Sequence, residues 1–332
     1  MTEFLLQPFL GQATWLWLLF VGIVAALLAF DLGVLHRDDH EIEVAESLWL
    51  SAGYIGVAVL FGGWLWWHLG ATSGMEYFTG YLIEKSLSMD NVFVIALIFG
   101  FFAVPRQYQH RVLFWGILGV IVLRAIMIGV GAALVTQFSW VLYVFGAFLV
   151  LTGLKMLWMA DHQPNLEANP LLRLLRKLVR VTPDLRGNAF VVREPHPVSG
   201  KPVLWATPLL LALCLVEFTD LVFAVDSVPA IFAITTDPFI VYTSNIFAIL
   251  GLRALYFALA AMIHRFTYLK YALALVLVFI GGKIFLVNIT GKLPPAISLG
   301  VTFGLIAGGV LLSLWKTRDR GPGTGRSLSP GA

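Results

Sequence analysis

Two apolar runs carry carboxylates where a bilayer would tolerate few. One holds Glu84, Asp90 and Asn91; the other holds Glu217, Asp220 and Asp226, with Pro229 close behind. A charge at a helix centre costs about 2.5–3.5 kcal/mol on insertion scales, so acids at membrane depth mark ion or proton pathways by default. The donors are all oxygen: these carboxylates, the Asn91 amide and the hydroxyls of Ser86, Ser88, Thr219 and Ser227. Such a set suits the hard ions Mg²⁺, Ca²⁺ or Mn²⁺, whereas Zn²⁺ and Cu prefer His and Cys. The 7 His fall at expected helix ends or in loops, and the single cysteine, Cys214, forms neither an intramolecular disulfide nor a cysteine cluster.

At about 100° per residue, Glu84, Ser88 and Asn91 share one helix face while Asp90 points elsewhere. Glu217, Asp220, Ala224 and Ser227 likewise form one stripe, with Asp226 off it. One point in space cannot receive all of these oxygens from straight helices. Pro229 is expected to break the second helix and free the carbonyl of Val225 as a further ligand.

The elements that hold these residues are membrane helices. With 59% hydrophobic and 12% charged residues over 332 positions and a mean hydropathy of +0.87, the chain is too apolar for a soluble domain. The expected fold is an all-α polytopic membrane protein. At roughly 20 residues per crossing, about nine transmembrane helices are expected: Ala13 to Leu35, Leu50 to Trp67, Phe78 to Ala103, Val112 to Val135, Trp140 to Met159, Trp205 to Val228, Phe239 to Ile263, Leu269 to Ile289 and Ala296 to Trp315. Met1 to Gln12 lacks Lys and Arg, so the first span is expected to remain rather than act as a cleaved signal. Basic residues alternate between connections, with only Lys292 on the poor side. This places the N-terminus outside and the C-terminus in the cytoplasm. Most Trp residues sit near expected helix ends, as an interfacial belt requires. The net charge of +3 is explained by this topology, and nothing points to nucleic acid.

The connection over 160–204 is the one sizeable polar part. Asn169 and Pro170 start a short helix with Leu171, Leu172, Leu174, Leu175 and Leu178 opposite Arg173, Arg176, Lys177 and Arg180. That helix is expected to lie on anionic lipid, or alternatively to dock a regulatory partner. Phe190 to Val192 and Val203 to Trp205 are expected to pair as a hairpin. The tail from Gly321 to Ala332 reads as disordered.

An internal repeat organises the rest. Asp90, Arg124 and Lys155 match Asp220, Arg253 and Lys283 in order, at intervals of 34 and 31 residues against 33 and 30. Three crossings per copy is an odd number, so two inverted three-helix repeats are expected, an arrangement common in secondary transporters. The resulting plan is two N-terminal helices over 1–75, the first repeat over 76–159, the loop over 160–204, the inverted second repeat over 205–290, and a last helix with its tail over 291–332. Arg124, Arg253, Lys155 and Lys283 are the candidate ion-pair or gating cations. One reading pairs Asp90 with Arg124 and Asp220 with Arg253 as structural bridges, and Lys155 and Lys283 can also snorkel. Asp31, Ser88 and Ser227 are secondary candidates. Two membrane aspartates raise the possibility of an intramembrane protease, but no Gly-x-Gly-Asp signature surrounds Asp90, Asp220 or Asp226.

Through Asp31 to Arg37, Glu84 to Asn91 and Glu217 to Phe257, including Asp226-Ser227-Val228-Pro229-Ala230 and Gly251-Leu252-Arg253-Ala254-Leu255, the chain resembles the TerC family of integral membrane proteins and its Alx-type members. The likeness runs roughly from Phe30 to Leu286. It implies a cation transporter related to the LysE group with Mn²⁺ efflux as its activity, and it makes Glu84, Asp90, Asn91, Glu217, Asp220 and Asp226 the metal-binding positions. The expected function is therefore secondary-active export of a divalent cation, Mn²⁺ foremost, through the inner membrane of a bacterium, with protons as a possible counter-ion. Neither enzymatic activity nor a resident cofactor is expected. The competing expectation is a non-transporting membrane component that organises a metal-stress or tellurite-resistance complex.

Overall fold

The computed structural model describes residues 5–35, 44–158, 169–195, 200–260, 268–291 and 293–318. His36, Arg37, Lys292, the side chain of Asp90 and the tail beyond Arg318 lie outside the described part. A two-stranded N-terminal ribbon, β1 (Pro8–Phe9) and β2 (Gln12–Ala13), leads into α1 (Thr14–Leu35), α2 (Val44–Leu69), α3 (Ala71–Phe101), α4 (Arg106–Gln137) and α5 (Val141–Trp158). The polar connection contains α6 (Pro170–Leu178) and a hairpin of β3 (Val191–Pro195) and β4 (Pro202–Ala206). Then come α7 (Pro208–Phe232), α8 (Pro238–Ile249), α9 (Leu252–Ala260), α10 (Leu269–Thr290) and α11 (Pro295–Arg318).

The distribution of side chains is the reverse of a soluble protein's. Leu60, Trp49, Trp67 and Trp158 are 75–84% exposed, while Glu84 and Asn245 are 0% exposed and Arg124 is 1% exposed. Large apolar groups face outward because lipid is their solvent, and polar groups turn inward to find each other.

Among the described residues seven helices are long and apolar enough to cross a membrane, and α8 with α9 makes an eighth crossing if the bent pair counts as one. The expected nine differ from this by α3. Its 31 residues exceed a bilayer's thickness, but Glu84, Lys85 and Asp90 fall in its middle and lower its hydropathy.

Helix starts follow local chemistry. The Asn169 Oδ1 accepts from the Leu171 N–H at 2.9 Å and Pro170 fills the first helical position, as the sequence leads one to expect. Asp237 Oδ1 does the same for Phe239 N–H at 2.9 Å ahead of Pro238. The hairpin also forms, with Val192 opposite Trp205 and Val191 opposite Ala206.

Pro229 does not break α7, contrary to the sequence reading. The helix runs through it to Phe232. The discontinuity lies instead between α8 and α9, which are bent by about 40° at Gly251, where φ is +80°. An added Cβ there would sit 2.7 Å from Tyr54 Cβ, so both the turn and the packing require glycine.

Helix α3 packs on α7 and α8, α4 on α7, and α5 on α10. Glycines let backbones approach closely: a Cβ on Gly281 would lie 2.6 Å from Gly146 O, and one on Gly153 2.7 Å from Ala274 O. Gly281→Val is expected to destabilise the protein by about 1–3 kcal/mol through overpacking, whereas Gly282→Val, with nothing within 4 Å of its Cβ position, leaves stability nearly unchanged. Thermal unfolding in detergent distinguishes them; equal midpoints would show that α5 and α10 do not meet through this surface.

Candidate functional site

The site is built from residues two helical turns apart on each of two helices. Glu84 and Asn91 lie on one face of α3, and Asp220 and Ser227 on one face of α7. Between these faces stands Arg124 of α4, 1% exposed. Its Nε donates to Asp220 Oδ2 at 3.1 Å and its Nη2 to Asp220 Oδ1 at 2.9 Å, a two-pronged match of guanidinium to carboxylate. Nη1 donates to Glu84 Oε1, to Ser227 Oγ at 2.9 Å and to Asn245 Oδ1 at 3.3 Å. Two amides close the ring. Asn91 Nδ2 donates to Asp220 Oδ1 at 3.2 Å, and Asn245 Nδ2 donates to Glu84 Oε2 at 3.2 Å.

Close helix approach makes this possible. A Cβ on Gly80 would lie 2.9 Å from Ser244 Oγ, so α3 and α8 meet tightly just where Glu84 must reach Asn245. Two buried carboxylates face one guanidinium, leaving one formal negative charge in excess when both are ionised.

The sequence-expected residues divide into three groups. Glu84, Asn91, Asp220 and Ser227 converge with Arg124. Glu217 lies aside, over α4: a Cβ on Gly119 would come within 2.2 Å of its Oε1, and its Oε2 has no hydrogen-bond partner among the described residues. Asp226 faces α5, where Thr152 Oγ1 donates to its Oδ1 at 3.3 Å. Ser88 is 1% exposed, and its hydroxyl has no hydrogen-bond partner among the described residues. Lys283 donates to Ser298 Oγ at 3.0 Å, and Lys155 is exposed. Asp90 is carried by α3, with its side chain outside the described part. Among the described residues no three His, Cys, Asp or Glu groups converge on one metal-sized point.

Small cavities flank the cluster on two sides. One of about 20 Å³ is lined by Asn91, Thr219 and Asp220 against Ile117, Val120 and Val216. The other, about 30 Å³, is lined by Asn91, Arg124, Asp226 and Ser227. Each has room for a water molecule, and Asn91 borders both. Its Oδ1 has no hydrogen-bond partner among the described residues.

The expected Asp220–Arg253 bridge is not formed. Asp220 is taken by Arg124, because α4 packs directly on α7, while α9 packs on α2 and α3. Arg253 instead bonds Asp31 Oδ1 of α1, which also accepts from Tyr54 OH at 3.0 Å. Sequence reasoning also missed Asn245 and Lys85. Asn245 stands out only as an amide inside the apolar run of α8. Lys85 Nζ donates to Ala248 O at 3.2 Å and approaches Leu250 O at 3.5 Å, placing a cation on the open carbonyl end of α8.

This arrangement lies within a region that matches a known family: the model of the integral membrane protein TerC family covers residues 69–321. The chain belongs to the TerC family. As a TerC protein it is multi-pass and membrane-embedded, and its match begins after α1, so the Asp31–Arg253 bond ties a helix outside the matched region to one inside it. A membrane protein of Myxococcus xanthus is 49% identical over 303 residues, covering 91% of this chain and 93% of its own. Another from Rickettsia bellii is 47% identical over 298 residues, 90% of this chain and 96% of its own. The Escherichia coli protein named putative membrane-bound redox modulator Alx is 47% identical over 309 residues, 90% of this chain and 94% of its own. No solved structure matches the chain.

Proposed function

We propose that this TerC protein is a secondary-active exporter of a divalent cation, Mn²⁺ foremost, working by alternating access. The observation that carries the reading is the buried guanidinium of Arg124, held by Glu84 and Asp220. Arg124 stands where a substrate cation would stand. A divalent ion brings a second positive charge to a site with an excess negative one, so it competes for the same carboxylates and releases the arginine. Hard oxygen donors from Glu84, Asp220, Asn91, Asn245 and Ser227 suit Mn²⁺, Mg²⁺ or Ca²⁺. On this reading Glu217 and Asp226 act on the approaches to the site, where a proton can exchange for the metal, and Asp90 joins as a further ligand.

Packing supports the inverted-repeat reading that alternating access needs. Shifting Gly146 and Gly153 by the 128 residues that separate Gly153 from Gly281 gives Ala274 and Gly281. The close approaches Gly146–Gly281 and Gly153–Ala274 thus exchange with one another. The same exchange relates α4 on α7 to α8 on α3. The distribution of basic residues supports an external N-terminus and a cytoplasmic C-terminus, in the inner membrane of a bacterium.

A second reading, a membrane organiser of a metal-stress or redox response, draws on the Escherichia coli relative's name and the basic face of α6. With Cys214 as the chain's single cysteine, such a role could not use an intramolecular dithiol–disulfide couple. Everted vesicles separate the two. Under an inward-acid gradient the wild type is expected to accumulate Mn²⁺ and to leave tellurite, an oxyanion, untouched; absence of divalent-cation flux under any pH gradient or potential would favour the organiser.

A further inference from the structure

A pocket of about 790 Å³ opens where α3 ends and α7 begins, far from the Arg124 cluster along both helices. Arg176, Lys177 and Arg180 line one wall, and no carboxylate lines it among the described residues. Phe101, Phe102 and Leu211, from the ends of the membrane helices, form the apolar wall. At its edge Leu178 is 71% exposed. Trp205 borders the pocket too, and its indole Nε1, a donor only, is buried without a hydrogen-bond partner among the described residues. The pocket is held rigidly: Leu172 of α6 is buried against the core of α3, α4 and α7, and Val181 bridges to Ala206 beside the β3–β4 hairpin.

We infer that this pocket binds an anionic phospholipid. The three cations suit a phosphate-bearing headgroup, while Phe101, Phe102, Leu211 and Leu178 offer acyl chains a surface continuous with the lipid-facing helices. A soluble anion would use only the basic wall and leave the apolar one in water. An acidic peptide would leave Leu178 and the phenylalanines at the bilayer edge uncovered. The lipid therefore ties α6 and the hairpin to the two helices that carry Glu84 and Asp220, α3 and α7, independently of what the protein transports.

Native mass spectrometry of the full-length protein in detergent tests this with phosphatidylglycerol and phosphatidylcholine of the same acyl chains. The wild type is expected to retain phosphatidylglycerol selectively, and retention should fall about five-fold for each cation removed in R176Q and R180Q. R173Q, on the same helix but outside the pocket, should leave it unchanged, which separates the pocket from general surface charge. Equal retention of the two lipids, an R173Q effect as large as that of R180Q, or complete displacement by inorganic phosphate or an acidic peptide would overturn the assignment.

Discussion

Arg124→Met is expected to destabilise the protein by about 3–5 kcal/mol, the cost of leaving buried charges without their partner. Glu84 and Asp220 are nearly inaccessible, 0% and 6% exposed, and both bond Arg124. Removing the guanidinium leaves two carboxylates facing each other with only two amides and a hydroxyl to solvate them. The decisive comparison is the triple variant Arg124→Met with Glu84→Gln and Asp220→Asn. With no uncompensated charge it should recover most of the loss. Unfolding in detergent measures both. Equal destabilisation of the single and triple variants would mean that Arg124 matters through its packing rather than its charge.

Asp220→Asn is expected to weaken Mn²⁺ binding roughly 10- to 100-fold, corresponding to the ~1.5–3 kcal/mol of one charge-assisted contact. Asp220 is chosen because it alone meets both guanidinium prongs and the Asn91 amide. Asp226→Asn should have a smaller effect on binding at equilibrium, since Asp226 turns toward Thr152 of α5. Calorimetric titration of purified protein with Mn²⁺ reads both. Should Asp226→Asn bind as poorly as Asp220→Asn, the metal would have to sit between the cluster and α5, in the cavity that Asn91, Arg124 and Asp226 share.

Periodicity made part of this site readable and packing hid the rest. Residues 84 and 91, and 220 and 227, share faces because seven residues make nearly two helical turns, so their convergence is implied once two helices meet. Which cation answers which acid is not local. Arg124 reaches Asp220 of α7 and Arg253 reaches Asp31 of α1 because of how α4 and α9 pack. The proline in α7 looked like the break, yet the helix continues through it to Phe232. The real break at Gly251 has only a glycine to announce it, and its carbonyls are answered by Lys85, 163 and 165 residues away in sequence. Asn245 is likewise silent in sequence: a single amide among apolar neighbours becomes the second hydrogen-bond partner of Glu84 only when α3 and α8 close at Gly80. The acidic helix α3 shows the same tension from the other side, since Glu84, Lys85 and Asp90 lower its hydropathy and keep it out of the apolar spans.

The most direct test of the central claim is Mn²⁺ flux in proteoliposomes under an imposed pH gradient, comparing the wild type with Asp220→Asn and Asp90→Asn at matched insertion. The account predicts flux in the wild type and its loss in both variants. Equal flux in all three proteins would contradict it, leaving the Arg124 cluster as a structural clasp between α3, α4 and α7.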